Sequence, residues 1–565
     1  GPRAKKDPRD LKLLDPACGS GHFLLYSFDL LLSIYEEAWA DPSAAPCTST
    51  GRTLRQDYAD IEALRKAVPL LILEQNLHGV DIDPRCAQIA ALALWLRAQR
   101  AWKEVGLPAS QRPRITKTNI VVAEPMPGDA ALVEEFAATL NPPLLGTLFR
   151  KMVAEMRLAG ELGTLLKVET LLADEIRKAN VEYNRQKKTT GYLPGFEPPA
   201  TQEELDFSQI DDETFFDRAE ELLLAALRRF AESAAGAKGE RRRLFAGDAA
   251  QGIALIDTVR AKYDVVLMNP PFGLTGGDVY EYLKADYEDC FIDLLASFVS
   301  RAEDLSPAGL IGALTSRACL YTKTLLDWRA RRLSGRISLL ADLGIGVLEG
   351  AMVRACAYVI PAGGQGVTGT FLNLRGVTEK EAGLLELVKG IAKGSGEGGV
   401  FVRGSDFFSL IPQRRVLYSL PHDFWKREAG MPRVEPEAAT IRAGLTTYDD
   451  PRFLRLRWEV PPSRAAADKW VLLSKGGYFG TFFNDVHLLV RWDRDGREVG
   501  AHNCALYDTD AQSRRGSSFY RRPALTYSRR TDFFSAKALP SNCFFSDKGP
   551  AILPLQGESP LSLLG

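Results

Sequence analysis

The stretch Y-D-V-V-L-M-N-P-P-F-G, residues 263–273, predicts a buried parallel strand that ends in a rigid turn. Residues 265–268 are all apolar, and two of them are β-branched, which is typical of a strand covered on both faces. The two prolines that follow prevent further ladder pairing and restrict the backbone. Ligands of open α/β sheets bind at the carboxyl ends of strands. The turn therefore offers the Asn269 side-chain oxygen and the Pro270 carbonyl as acceptors, with Phe272 as a flat face for a planar base that carries an amine.

Composition limits the classes of protein that this chain can represent. A length of 565 residues predicts two or three domains, and a net charge of −1 means that a nucleic-acid partner requires a local basic face. The eight cysteines and five histidines are dispersed, so we expect a reduced, cytoplasmic protein without a metal site. No apolar segment is long enough to predict a membrane span.

A second motif near the start of the chain predicts a nucleotide-type ligand. The sequence L-K-L-L-D-P-A-C-G-S-G-H-F-L, residues 11–24, predicts a strand, a glycine turn and a helix. Leu24 occupies the position where a dinucleotide-binding fingerprint needs its third glycine, and Asp15 is better placed for a cationic amine than for pyrophosphate. These features favour S-adenosylmethionine over NAD. The predicted cofactor-binding residues of this turn are Asp15, Ala17, Cys18, Gly19 and Gly21.

Two more strands are predicted to end in acids. In L-H-G-V-D-I-D-P, residues 77–84, we expect Asp81 to accept hydrogen bonds from ribose hydroxyls and Ile82 to lie against adenine. Asp83 and Pro84 are expected to begin the next helix. The run L-F-A-G-D-A, residues 244–249, is predicted as a strand whose end places Asp248 and Ala249 at the cofactor, with Asp248 accepting the amine of its adenine. Asn269 also belongs to the predicted cofactor site.

The predicted domain organisation has five parts. Residues 1–127 and 242–365 form the cofactor-binding and catalytic halves of one α/β domain, and residues 128–241 form a helical insertion with a polar loop at 188–204. Residues 366–430 are expected to be a connecting region, with a glycine- and lysine-rich loop at 389–399. Residues 431–565 are predicted to be an α+β domain.

An arginine-rich segment in the last part predicts contact with DNA. Residues 514–530 contain three pairs of arginines, interleaved with Phe519, Tyr520 and Tyr527, and no acid. Guanidinium groups reach phosphates and guanine edges, and aromatic rings stack on displaced bases. A solvated face remains the alternative. The predicted DNA-binding residues are Arg514, Arg515, Arg521, Arg522, Arg529, Arg530 and Lys475.

The series D-P-A-C-G-S-G, G-V-D-I-D-P, G-D and N-P-P-F resembles that of DNA adenine-N6 methyltransferases. The sequence around these motifs, from residue 11 to about residue 360, is most similar to that of the large adenine methyltransferases of the BREX (PglX-type) and DISARM phage-defence systems. The remainder resembles their target-recognition region more loosely. The resemblance implies a Rossmann-like methyltransferase sheet, a flipped adenine in double-stranded DNA, and catalysis by Asn269, Pro270, Pro271 and Phe272, with other phage-defence proteins as partners.

Two departures from this family make us expect a fragment. The helix that usually precedes the cofactor motif is missing, and so is a long amino-terminal region. One alternative is therefore a DNA-recognition subunit that is gated by S-adenosylmethionine and has little activity alone. N-P-P-[FY] also occurs in enzymes that methylate glutamine amides in proteins or guanine N2 in RNA. The large last domain argues against a protein substrate and, more weakly, against RNA.

Overall fold

The computed structural model describes most of the chain, which divides into two compact units, Gly1–Trp425 and Lys426–Gly565. The described residues are 4–115, 118–140, 143–170, 212–233, 236–274, 276–348, 353–364, 366–393, 398–431, 433–465, 470–529, 531, 534–555 and 559–564. Arg530 and the polar loop expected at 188–204 lie outside the described residues. None of the helices in this part of the chain has the length and apolar character needed to cross a bilayer.

The first unit is built on a nine-stranded sheet in its described residues, with the strand order β3-β2-β1-β4-β5-β7-β6-β8-β9. The strands are β1 Leu13–Asp15, β2 Leu77–Asp81, β3 Asn119–Val122, β4 Val265–Met268, β5 Leu310–Ser316, β6 Leu339–Gly344, β7 Ala355–Pro361, β8 Gly369–Asn373 and β9 Val400–Arg403. The five strands from β3 to β5 in this order pair in parallel, whereas β7 is antiparallel to both of its neighbours. The predicted α/β class is confirmed.

Helices accompany this sheet and form the insertion. Their bounds are His22–Ala40, Leu54–Asp57, Ile61–Leu71, Pro84–Glu104, Ala130–Thr139, Pro143–Glu155, Ala159–Leu162, Asp212–Glu232, Gly236–Arg260, Gly277–Asp286, Leu294–Leu305, Leu326–Arg332, Lys380–Ala392, Ser405–Ser409 and His422–Ala429. The helix Pro84–Glu104 begins as predicted, because the Asp83 carboxylate accepts the N–H of Arg85 and Pro84 occupies the first helical position.

The second unit contains two four-stranded sheets in its described residues, ordered β10-β17-β14-β15 and β11-β13-β12-β16. Its strands are β10 Ala439–Arg442, β11 Leu454–Leu456, β12 Trp470–Ser474, β13 Leu488–Arg491, β14 Ala524–Thr526, β15 Lys537–Leu539, β16 Cys543–Phe545 and β17 Ala551–Pro554, and its helices include Asp450–Phe453, Pro462–Ala465 and Arg497–Tyr507. This arrangement is the expected α+β class.

The strand predicted at residues 244–249 is wrong, because these residues belong to the helix Gly236–Arg260. A short apolar run does not distinguish a strand from a buried helical segment. Packing decides here. Phe245 and Ala249, which are four residues apart, are both buried, whereas Leu244, directly before Phe245, is 69% exposed. Asp248 is consequently an exposed residue of a helix and does not follow a strand.

The interval 366–430, which was expected to be a connecting region, contributes β8 and β9 to the large sheet. β8 pairs in parallel with β6, and Phe371 in β8 is fully buried. The composition change after Pro361 therefore marks a turn between two strands. The loop expected at 389–399 begins later than predicted, since the helix Lys380–Ala392 includes its first residues.

A cluster of four aromatic rings joins three helices of the insertion to the helix Gly236–Arg260, which leads out of it. Phe136 lies at its centre, with its ring centroid 4.8 Å from that of Phe149, 5.3 Å from that of Phe230 and 5.9 Å from that of Phe245. Phe136 is fully buried. Edge-to-face pairs of this kind stabilise a core beyond the area that they bury.

Replacement of Phe136 by alanine should lower the free energy of unfolding by about 3–5 kcal/mol, because a large buried ring leaves a cavity. Urea denaturation followed by circular dichroism measures this loss. The matched control is Leu244→Ala, since the exposed Leu244 precedes Phe245 on the same helix and its truncation should change stability by at most about 0.5 kcal/mol. Equal losses in the two variants would contradict the central role of the aromatic cluster.

Candidate active site

Three of the predicted site residues lie at the edge of the sheet where the order of the strands reverses. β1 lies between β2 and β4 and is parallel to both, so all three strands end at the same edge of the sheet. β2 and β3 lie on one side of β1, and β4 and β5 lie on the other. In open α/β sheets, ligands bind in the crevice that forms where successive strands are added on opposite sides of the first strand. Asp15, Asp81 and Asn269 occupy the ends of β1 and β2 and the position after β4.

The turn after β1 holds its shape through backbone hydrogen bonds to β2. The Cys18 N–H donates to the Val80 carbonyl at 2.9 Å, and the Gly19 N–H donates to the Asp81 carboxylate at 2.8 Å. Gly21 has φ +84°, and a Cβ atom there would lie 3.0 Å from the Ala90 Cβ. Glycine thus permits the close approach of the helix Pro84–Glu104. Around the Cβ position of Gly19 no atom of the described residues lies within 4 Å, which leaves room for a ligand.

Two carboxylates at this turn differ in their surroundings. Asp15 is 1% exposed and accepts the Ala17 N–H at 3.2 Å. Burial, together with the nearby charge of Asp81, raises the pKa of Asp15 to about 7. Asp81 accepts the N–H groups of Gly19 and Asp83 at 2.8 and 2.9 Å. A buried acid with a raised pKa is stabilised as a carboxylate when a cation binds beside it.

The insertion contacts this turn directly. The Thr164 hydroxyl donates to the Pro16 carbonyl at 3.1 Å. Ile82 packs beside Gly163, whose φ is +56°, and its Cγ2 lies 3.2 Å from the position of a Cβ on that glycine. Ile82 nevertheless stays 49% exposed and can receive a planar ring. The insertion therefore forms one wall of the candidate cofactor site.

A third acid at a strand end was missed by the sequence analysis. The Ala123 N–H donates to the Asp81 carbonyl at 2.8 Å, which continues β3 beside β2 as far as Glu124. Glu124 is half-buried. The apolar run N-I-V-V-A-E, residues 119–124, carries the signal of a strand followed by an acid. Asp248, which we expected in this place, lies instead on the helix Gly236–Arg260, and Ala249 is buried in its packed face.

The Asn-Pro-Pro-Phe turn follows β4 as predicted. Asn269 and Pro271 are exposed, Pro270 is buried and Phe272 is half-buried against the main core. The Asp293 carboxylate accepts the Gly273 N–H at 3.2 Å, and the Leu294 N–H donates to the Gly273 carbonyl at 3.0 Å. Burial raises the pKa of Asp293 above its ordinary value. The turn is thereby fastened at its far end to the helix Leu294–Leu305, here named the anchor helix.

The anchor helix also holds the insertion. Arg301, which is 1% exposed, donates through Nε to the Thr164 carbonyl at 2.7 Å and pairs with Glu169 at 2.6 Å. The Tyr287 hydroxyl donates to the Leu165 carbonyl at 2.8 Å. A continuous set of contacts therefore runs from the turn after β4, through the anchor helix and Thr164, to the turn after β1.

In the second unit, five of the predicted DNA-binding arginines are exposed, namely Arg514, Arg515, Arg521, Arg522 and Arg529. Lys475 is less accessible because it pairs with Asp450. The interleaved rings Phe519 and Tyr520 pack inward, and the Tyr520 ring stacks on that of Phe544 at 4.2 Å. The structure thus presents the guanidinium groups at the surface and leaves these two aromatic rings only partly exposed.

The Asp15→Asn substitution should reduce the pH dependence of stability between about pH 4 and pH 7. Because the pKa of Asp15 is raised to about 7, the folded protein without ligand holds this proton more tightly than the unfolded chain does. Its contribution to stability is complete below about pH 4 and is lost as the pH rises through about 7. Thermal unfolding at several pH values measures the difference in Tm between wild type and variant.

Asp83→Asn provides the control for this series. A side-chain hydrogen bond from Arg85 lowers the pKa of Asp83 to about 2, so its contribution to the pH dependence of stability falls between about pH 2 and pH 4, at or below the lower end of the tested range. A difference in Tm between Asp15→Asn and wild type that stays constant from pH 4 to pH 8 would contradict the assignment.

Arg301→Met should lower the free energy of unfolding by about 3–5 kcal/mol, because the half-buried Glu169 and the Thr164 carbonyl lose their common donor. Urea denaturation measures this change. Arg100→Met serves as the control, since Arg100 pairs with Glu104 at the surface and its loss should leave the midpoint nearly unchanged. An unchanged midpoint in Arg301→Met would show that the anchor helix does not depend on this ion pair.

Two long stretches of this chain match family models of DNA methylases. Residues 75–344 match the family described as Eco57I restriction-modification methylase, and residues 4–124 match that described as MmeI, DNA-methyltransferase domain. The solved structure of the Type IIL restriction-modification enzyme MmeI in complex with DNA is 14% identical and has a TM-score of 0.48, with 98% of this chain and 58% of that chain covered.

Two curated relatives extend the similarity along the chain. The adenine-specific methyltransferase BrxX of Escherichia coli O9:H4 (strain HS) is 25% identical over 97% of this chain and 41% of its own length. The adenine-specific methyltransferase PglX of Lacticaseibacillus casei (strain Zhang) is 20% identical over the same shares of the two chains. The chain spans about two fifths of the length of these relatives. The predicted resemblance to phage-defence adenine methyltransferases of the BrxX and PglX type is confirmed.

Proposed function

We propose that this chain transfers a methyl group from S-adenosylmethionine to N6 of a flipped adenine in double-stranded DNA. The observation that carries the proposal is the position of Asn269, which follows β4 at the sheet edge where β1 and β2 end in Asp15 and Asp81. The acceptors for the adenine amine and the acids suited to a cationic cofactor therefore lie at the same edge of the sheet. The similarity to BrxX and PglX supports adenine as the target.

The residues around the turn after β1 suit S-adenosylmethionine. Asp15 is a buried acid that a cationic amine would stabilise as a carboxylate, and the open space at Gly19 admits the ligand. Asp81 would accept the ribose hydroxyls and Ile82 would contact adenine. Of the two further acids considered for the adenine amine, Glu124 replaces Asp248, because Glu124 follows a strand end and Asp248 does not. When bound, the cofactor supplies an electrophilic methyl group on a sulfonium.

The Asn-Pro-Pro-Phe turn would activate the adenine amine. The N6 lone pair is delocalised into the ring, so the free amine is a poor nucleophile. The Asn269 side-chain oxygen and the Pro270 carbonyl would accept its two N–H groups, favour tetrahedral geometry and localise the lone pair for in-line attack. Pro271 would keep the turn rigid, and Phe272 would stack on the extruded base. The N6 proton leaves after the methyl has transferred, so no general base is required beforehand.

The second unit would supply the DNA contacts. Its exposed arginines at 514, 515, 521, 522 and 529 can neutralise phosphates, and Lys475 joins them only if its pair with Asp450 opens. The resemblance to BREX-type enzymes supports a role as the modification component of a phage-defence system with other defence proteins as partners. A DNA substrate in a bacterial cell implies a cytoplasmic location.

The Asn269→Ala variant tests this function. We expect transfer of radiolabelled methyl from S-adenosylmethionine to adenine in unmodified phage and host DNA to fall about 100-fold or more, because an acceptor aimed at the reacting amine is lost. Cofactor affinity, measured by calorimetry, should fall only a few fold, because Asn269 is one of several predicted cofactor contacts. Asn373→Ala is the matched control, since Asn373 ends β8 and hydrogen-bonds to Arg375.

Different failures of this experiment have different meanings. Cofactor binding without any transfer by the wild-type chain would favour the alternative of a cofactor-gated DNA-recognition subunit. Absence of cofactor binding would refute the cofactor site itself. Full transfer by Asn269→Ala would remove the Asn-Pro-Pro-Phe turn from the mechanism.

A further inference from the structure

The loop between β12 and β13, residues 475–487, exposes several aromatic rings and is here named the aromatic loop. Tyr478 is 92% exposed, Phe482 is 73% exposed and Phe483 is 61% exposed. Phe479 between them is also more than half exposed. Large aromatic side chains concentrated at the surface mark an interaction site, because their exposure to water is unfavourable.

The backbone of the aromatic loop is held firmly. The Tyr478 carbonyl accepts hydrogen bonds from the Lys537 amine at 2.7 Å and from the Asn484 amide at 2.9 Å. The Ala538 N–H of β15 donates to the Phe482 carbonyl at 2.9 Å. Lys537 itself is 1% exposed. A buried amine and a sheet edge thus fix the main chain while the rings face solvent, as preorganised binding requires.

The arginine-rich segment ends against this loop. The Ser528 hydroxyl donates to the Gly477 carbonyl at 2.9 Å. The next residue, Arg529, is exposed, and its N–H donates to the Lys548 carbonyl at 3.1 Å. Residues 514–530 contain six arginines and no acid. A partner that suits this surface combines flat apolar faces with dense negative charge, and nucleic acid with unstacked bases has both.

We propose that the aromatic loop stacks on DNA bases where the duplex is opened, and so acts as a wedge beside the arginines that hold the backbone. This inference rests on the proposed function, because extrusion of an adenine leaves an unstacked step in the duplex. Apolar wedges that enter base steps are a known means of opening DNA, and aromatic rings accept any base. The loop therefore contributes to DNA opening without reading its sequence.

The test compares binding to two fluorescein-labelled duplexes that are identical except for one bulged adenine. Because an unstacked base can stack on the exposed rings, the wild-type chain should bind the bulged duplex roughly 10-fold more tightly. The variant Tyr478→Ser/Phe482→Ser/Phe483→Ser should lose this preference and keep its affinity for the intact duplex. Because the three rings are exposed, the Tm of the variant should match that of wild type.

Two further variants strengthen the test. Tyr507→Ser removes an exposed ring of the same unit outside the loop and should keep the full preference. Lys537→Met removes the buried donor to Tyr478 and should weaken the preference even though all four rings remain. A preference that survives in the triple variant, or that is absent in wild type, would overturn the proposal.

The outcome also separates this inference from the proposed function. In an Asn269→Ala background, in which methyl transfer is lost, the three serine substitutions should still lower the preference for the bulged duplex. If the chain transfers no methyl group but still prefers the bulged duplex through the aromatic loop, the result would support the wedge and count against the proposed methyltransferase activity. If the wild-type chain binds no DNA, and the triple variant instead loses self-association or binding to anionic lipid vesicles, the loop serves a protein or a membrane and the wedge is refuted.

Discussion

The arrangement of the candidate active site depends on Arg301. This buried guanidinium binds the Thr164 carbonyl and the Glu169 carboxylate, and it lies on the anchor helix whose first turn holds Gly273. Thr164 in turn donates to Pro16. Two turns that are far apart in the chain are thereby held at one sheet edge. A buried charge of this kind tolerates little displacement, because its partners lose their compensation when it moves.

The contacts of Arg301 also explain what the helical insertion contributes to the structure. Its sequence shows only that one face of each helix is buried. In the structure, residues 163–169 reach from the anchor helix to the cofactor turn, where Gly163 borders Ile82. The insertion therefore builds part of the site wall. Burial raises the pKa of Asp15 to about 7, so a cationic ligand that binds beside it would stabilise its carboxylate form.

The second unit separates two roles that its sequence combines. Arginines and aromatic residues alternate between 514 and 530, which suggested one surface for phosphates and bases. Tyr520 instead stacks on Phe544, and four exposed rings follow one another in the loop before β13. The two segments meet where Ser528 binds Gly477. The local sequence does not show whether an aromatic side chain packs in the core or stays at the surface.

The sequence by itself determined the elements whose signals are local. Apolar runs that end in Asp15, Asp81 or Asn-Pro-Pro predict strands with functional ends, because strand period and proline chemistry act over a few residues. The tertiary structure alone decided the rest. Residues 244–249 are helical because Phe245 completes an aromatic cluster, β8 joins the sheet because Phe371 is buried there, and Arg301 links two turns from a helix that has no motif. These outcomes depend on partners distant in the chain, and a pattern read along the chain does not contain them.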